Sequence, residues 1–381
     1  MNSTSDPFID IRPYNDAEIP GAIERLIQDE EFVCAIVKHR FSNKSKWQRA
    51  LLTPIVRWYL KFKWAKLTSV EAIQLEVKKY LEQTLEATTK GVQFEGLSNL
   101  DKNQSYLFIS NHRDIAMDPA LVNYGLHITG HKTVRIAIGD NLLKKPCATE
   151  LMKLNKSFIV KRSARAPREM MKALGNLSAY IKHSLDDGHS IWIAQKEGRA
   201  KDGNDFTDPA ILKMFHVEGR KQKTEFAEYM KSLRIVPVSI SYENDPCDLA
   251  KAKELYEKAV NGKYEKGEFE DIESIIQGII GFKGHVNVTF GEPIDGEFST
   301  PEAFAAEIDR QIHLHYKLYP INHLAAGNKE NIDDATHRVL QDKLSKLPEG
   351  AHPFLLDSYG NPVRNLCKDK KSESSPEAVQ A

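Results

Sequence analysis

His112, followed by Asp114 and Asp118, is where side-chain type and spacing could do chemistry in this 381-residue chain. A neutral imidazole steered by a nearby carboxylate is a general base for a hydroxyl. The carboxylate fixes the tautomer and stabilises the imidazolium that forms. The sequence has no G-x-S-x-G turn that would present a serine nucleophile, so the hydroxyl belongs to a substrate. Basic residues at Lys161, Arg162 and Arg199 suit an anionic group such as a phosphate.

The triplet His112-Arg113-Asp114 also reads like the catalytic loop of a protein kinase, and that reading fails. A kinase needs an Asn five residues after the Asp, where this chain has Pro119. No G-x-G-x-x-G and no Asp-Phe-Gly occurs.

These residues need elements to hold them. Apolar, β-branched runs predict strands at Val92–Phe94, Tyr106–Ser110, 133–138, 157–161, 190–195, 234–241 and 285–291. Helical patterns fall between several of them, at Ser69–Thr88, Arg168–Leu185 and Lys251–Val260, with further ones at 300–317 and 332–346. Strands alternating with helices imply an α/β fold, with a largely parallel central sheet flanked by helices and an N-terminal helical region. Sites in such sheets form beyond the carboxyl ends of the strands. His112 follows one strand, Lys161-Arg162 another, and Glu197-Gly198-Arg199 a third. The three clusters are expected to converge on one crevice.

Composition sets the outer bounds. Hydrophobic residues make up 41% and charged residues 28%, with zero formal net charge, so no overall nucleic-acid signature is present. Four widely spaced cysteines form no C-x-x-C, which suggests a reducing compartment and no zinc site. The N-terminus does not read as a signal peptide, and no apolar run reaches the length that spans a bilayer. The neutral total conceals a bias: from Lys38 to Lys66 there are nine Lys or Arg and no acid. Within it, "TPIVRWYLKFKWAKL" predicts a helix with Thr53 as N-cap and Pro54 in the first turn. Leu51, Ile55, Trp58, Phe62 and Ala65 share a face, with Leu60 and Trp64 off it. Aromatic residues interleaved with Arg57, Lys61, Lys63 and Lys66 suggest that residues 49–67 lie on an anionic membrane surface.

The order of the motifs then carries a family resemblance. "FEGLSNL…YLFISNHRDIAMD", "GDNLL…SFIVKRS", "IWIAQKEGRAKDG" and "RIVPVSI" resemble, in order, the four blocks of the glycerolipid acyltransferases. That family includes the glycerol-3-phosphate and lysophosphatidic acid acyltransferases. The resemblance covers roughly Gly91 to Pro293. It implies His112 as the base that deprotonates the acceptor hydroxyl and Asp118 as its orienting carboxylate. Lys161 or Arg162, with Glu197, Gly198 and Arg199, would bind a phosphorylated acceptor, and Pro237 would shape the pocket wall. The donor it implies is acyl-CoA or acyl carrier protein, with no cofactor or metal. Phospholipid biosynthesis on the cytoplasmic face of a membrane follows from the same resemblance.

Five residues separate His112 from Asp118 where the family usually has four, which leaves Asp114 as an alternative carboxylate. If the chain begins to coil at Asp114, Asp118 comes back towards His112 and Asp114 is placed to cap a helix. Two other readings stay open: an acceptor of another kind, such as an amino lipid, and a non-catalytic lipid-binding protein of the same fold. The expected organisation is an N-terminal helical region at 1–90, the acyltransferase α/β domain at 91–320, a helical extension at 321–367 and a disordered tail at 368–381.

Overall fold

Seven strands form where the apolar runs fall: β1 (Thr89–Glu95), β2 (Leu107–Ser110), β3 (Arg135–Gly139), β4 (Ser157–Val160), β5 (Ile191–Ala194), β6 (Ile235–Tyr242) and β7 (Gly284–Phe290). In this computed structural model the described residues are 6–163, 166–267 and 269–373. They divide into two units. One takes the described residues up to Tyr80 together with Arg135–Tyr180, and the other takes Leu81–Val134 and the described residues from Ile181 on.

The second unit carries the strand order β1-β7-β6-β2-β5. β2 lies between β5 and β6, parallel to both. β7 is parallel to β1 and antiparallel to β6. Every residue of β2 and of β6 is buried. Strands covered on both faces read as continuous apolar runs, which is what "LFIS" and "IVPVSISY" show. Pro237 sits inside β6 opposite Ile109. Its carbonyl accepts from Gly291, just past the end of β7, so its backbone faces the side where that ladder stops. The missing N–H of a proline is tolerated at such a ladder end. The helices Pro320–Ala325, Asp334–Ser345 and His352–Glu373 close this unit. Ile321, Ala325, Leu340, Leu355 and Tyr359 share one apolar cluster with Ala252. The expected extension at 321–367 is therefore packed into this unit. Residues 368–373 continue the last helix rather than beginning a disordered tail, and the rest of that tail lies outside the described residues.

In the first unit β3 and β4 pair in parallel. Around them lie the helices Ile19–Gln28, Glu30–Arg40, Lys46–Trp64 and Pro146–Leu154. Ile19, Ile23, Leu26, Leu60 and Leu154 form its core. Arg25 and Tyr14 both bond Glu150, at 2.8 and 2.9 Å. Residues 135–180, expected with the α/β domain, thus group with the N-terminal helices, because Leu154 and Glu150 find their partners there.

The helix Lys46–Trp64 corrects one expectation. It starts at Ser45, whose backbone N–H donates to Gln48 in a capping box, and runs straight through Pro54. Pro54 cannot donate to the carbonyl four residues back. The Thr53 hydroxyl donates to the Arg49 carbonyl at 3.0 Å, one residue over. Leu60 and Trp64, off the expected apolar face, are the inward face and pack with Val56 on the unit's core.

Candidate active site

β2 ends at Ser110, and the next two residues part company. Asn111 stays with the sheet. Its side-chain amide donates to the Ile240 carbonyl at 2.9 Å and accepts from the Ile240 N–H at 2.8 Å. One side chain thereby continues the β2–β6 ladder where the backbone leaves it. The main chain can then turn and present His112 at the carboxyl ends of β2, β5 and β6.

The His112 Nδ1 lies 2.8 Å from Asp118 Oδ2. Asp118 stands in the first turn of the helix Met117–Ile128 and is fully buried, while the His112 side chain keeps 14% exposure. The same Oδ2 accepts the Arg113 N–H at 2.6 Å and the Asp114 N–H at 2.9 Å. Oδ1 accepts the Tyr242 hydroxyl at 2.7 Å. Donors on both oxygens fix the orientation of the buried carboxylate. With Nδ1 facing Asp118, Nε2 is the ring nitrogen left for chemistry. The ring also packs edge-on against Trp192 of β5, with centroids 5.7 Å apart.

Asp114 does something else. Its Oδ1 accepts from the N–H groups of Ala116 and Met117 at 3.0 and 2.8 Å, fixing the turn into the helix. Its Oδ2 is buried and accepts no hydrogen bond among the described residues. Burial, and then the charge of Asp118, push the Asp114 carboxyl above its ordinary value.

A shell of buried ions supports the loop from behind. Arg113 pairs with Asp205 at 2.6 Å and lies over the Tyr316 ring. Lys251, almost fully buried, donates to the Arg113 carbonyl at 2.7 Å and pairs with Asp245. The triplet reading singled out Arg113 only to dismiss it, and Tyr242, Lys251, Asp205 and Asp245 were missed. The one signal in the sequence was that polar groups follow or end strands whose interiors are apolar.

Glu197, Gly198 and Arg199 lie on the loop after β5. Gly198 has φ +78°, a conformation that glycine adopts without strain. The Ala200 N–H donates to the His112 carbonyl at 2.8 Å, which ties this loop to the histidine. Arg199 donates to the Ser274 hydroxyl at 3.3 Å and Glu197 is exposed. Ser274 belongs to the helix Glu270–Ile280, which the sequence reading did not anticipate. Pro237 is buried within β6 rather than at its end. Lys161 and Arg162 follow β4 in the first unit and are exposed. There the Arg162 N–H donates to Asp140 at 3.1 Å, and Lys161 lies 3.8 Å from Asp10. Among the described residues, then, the His112 and Arg199 clusters are tied together by hydrogen bonds, while Lys161-Arg162 is fixed within its own unit. No group of His, Cys, Asp and Glu among the described residues could hold a metal ion.

A carboxylate-oriented imidazole beside an arginine-bearing loop is equipped to activate a hydroxyl next to an anionic group. The family comparison falls on these same residues. Residues 91–241 match the family model described as Acyltransferase. Those residues therefore carry an acyltransferase domain, and the protein is an acyltransferase. Among solved structures it is similar to the 1-acyl-sn-glycerophosphate (LPA) acyltransferase PlsC from Thermotoga maritima. Identity there is 15%, over 64% of this chain and 78% of that one, with a TM-score of 0.36. No curated protein matches the chain.

Proposed function

We propose that the protein transfers a fatty acyl group from an acyl thioester, acyl-CoA or acyl carrier protein, to the hydroxyl of a glycerol phosphate or lysophospholipid. The observation that carries this reading is the 2.8 Å contact of His112 Nδ1 with buried Asp118. In the reaction, His112 Nε2 takes the proton of the acceptor hydroxyl as its oxygen attacks the thioester carbonyl. The new C–O bond forms, the C–S bond breaks, and the departing thiolate takes the proton from the imidazolium. Asp118 stabilises that imidazolium without moving a proton itself. Arg199 supplies charge for the acceptor's phosphate. No cofactor or metal enters these steps.

Phospholipid synthesis on a membrane's cytoplasmic face is part of the same proposal. Among the described residues no helix is long and apolar enough to cross a bilayer. Trp47, Leu51, Ile55, Trp58 and Phe62 are 58–69% exposed and form one stripe along the helix Lys46–Trp64. Trp58 and Phe62 stack at 6.1 Å. A stripe of this size suits insertion at headgroup level.

The decisive assay follows thiol release from acyl-CoA, offering glycerol 3-phosphate and a lysophosphatidic acid separately. Release that depends on one of them supports the proposal. Release that neither stimulates, with a folded enzyme, rejects the acceptor assignment.

A further inference from the structure

We propose that Tyr242 is a positioning residue of the reaction, acting on His112 through Asp118. The inference rests on the reading of His112 as base. Its basis is how the two oxygens of Asp118 are divided. Among the described residues, Oδ2 meets His112 and two backbone N–H groups, whereas Oδ1 accepts a single hydrogen bond, from the Tyr242 hydroxyl at 2.7 Å.

The supply of that hydroxyl is built into the sheet. β6 runs alongside β2 as far as the Ser110–Val238 pair and then continues to Tyr242, beyond the point where β2 gives out. On its other edge Tyr242 pairs with Val286 of β7, so its backbone is fixed. Asn111 grips the same strand two residues earlier, at Ile240. The strand that holds the histidine loop therefore also delivers the phenol to its carboxylate. The ring is 4% exposed. Burial and the negative charge of Asp118 hold the phenol well above its ordinary value, so it stays a protonated donor across the working pH range.

Its consequence is a tuned acceptor. A donor on Oδ1 withdraws electron density from the carboxylate and stops it rotating about its own bond. Oδ2 is left aimed at His112 Nδ1. A tyrosine present only for packing would contribute neither effect, and phenylalanine would replace it.

The test uses the full-length enzyme. Tyr242→Phe should lower kcat by about 10-fold or more, a share of the ~10²–10⁴ that general-base catalysis contributes, with KM for both substrates little changed. In the Asp118→Asn background the same change should have no further effect on kcat. The low-field proton resonance of His112 Nδ1, identified by its loss in His112→Gln, should move downfield in Tyr242→Phe. Should Tyr242→Phe fail to fold, fluorotyrosine placed at 242 keeps the shape and donates more strongly, and should move the resonance upfield. An unchanged kcat and an unmoved resonance would overturn the inference, as would effects of Tyr242→Phe and Asp118→Asn that multiply. Those results beside an inactive His112→Ala would leave His112 as base and remove only Tyr242, whereas an active His112→Ala would remove both.

Discussion

Gly278 and Asp114 meet so closely that a Cβ on Gly278 would lie 1.9 Å from Asp114 Oδ2. The helix Glu270–Ile280 is thus docked on the turn that links His112 to Asp118. Gly278→Ala must displace either the helix or that carboxylate, which also holds the Ala116 and Met117 N–H groups. Overpacking of this kind costs about 1–3 kcal/mol. We expect a lower Tm and a fall in kcat larger than the stability loss explains. Calorimetry and steady-state kinetics on the same sample check this, and an unaffected kcat would uncouple the helix from the turn.

The two aspartates should separate cleanly by mutation. Asp118→Asn changes the partner of the imidazole, and turnover should fall by at least the ~10²–10⁴ expected when a general base is lost. Asp114→Asn keeps an oxygen for Ala116 and Met117 and should leave kcat within a few-fold. Circular dichroism confirms folding in each. A dead Asp114→Asn beside an active Asp118→Asn would reverse their roles.

Asp309 gives a pH prediction. Burial pushes its carboxyl up from the ordinary 3.8 to about 6. A carboxyl raised on folding binds its proton more tightly in the folded state. Its contribution to stability is complete below its unfolded value and is lost as pH rises through about 6. Asp309→Asn keeps an acceptor for the Thr207 N–H, bonded at 2.7 Å, and removes the buried charge. At pH 7.5 the variant should be more stable by on the order of 1–2 kcal/mol, and near pH 4 the gap should close. Thermal melts at the two pH values decide, and a gap independent of pH would assign the effect to packing.

Binding to vesicles should depend more on the apolar stripe than on the basic residues first noticed. Arg57 is paired with Glu30 at 2.8 Å and Lys63 with Glu76 at 2.7 Å. These acids come from outside the stretch that lacks them. Trp58→Ser with Phe62→Ser should release the protein from vesicles, since burying each such side chain is worth roughly 1.5–3 kcal/mol. Arg57→Gln with Lys63→Gln should weaken binding less. Flotation assays compare the pairs, and the opposite ranking would restore an electrostatic mechanism.

What the sequence made legible was what depends on short runs. Each strand was read to within a few residues, because "LFIS", "IWIA" and "IVPVSIS" are compact apolar runs with abrupt ends. The contact of His112 with Asp118 was within reach because a turn into a helix separates them. Tyr242 was not, since it stands 124 positions along the chain from Asp118 and only the register of β6 brings them together. The helix Glu270–Ile280 was missed for a local reason. β-branched isoleucines and Gly278 lower its helix propensity, yet packing against Asp114 overrides that. Pro54 misled in the opposite sense, marking a helix start where the chain simply continues.

Asn111 has a consequence for motion. Opening the histidine loop requires breaking two hydrogen bonds held by one rigid amide against a central strand. The Ile240 amide should therefore exchange its hydrogen with solvent only when the sheet itself unfolds, at the slow rate of the innermost strand amides. The turn at Asn111 then does not have to order itself when substrate arrives. The entropy of arranging the base is spent once, during folding, and does not recur with each turnover.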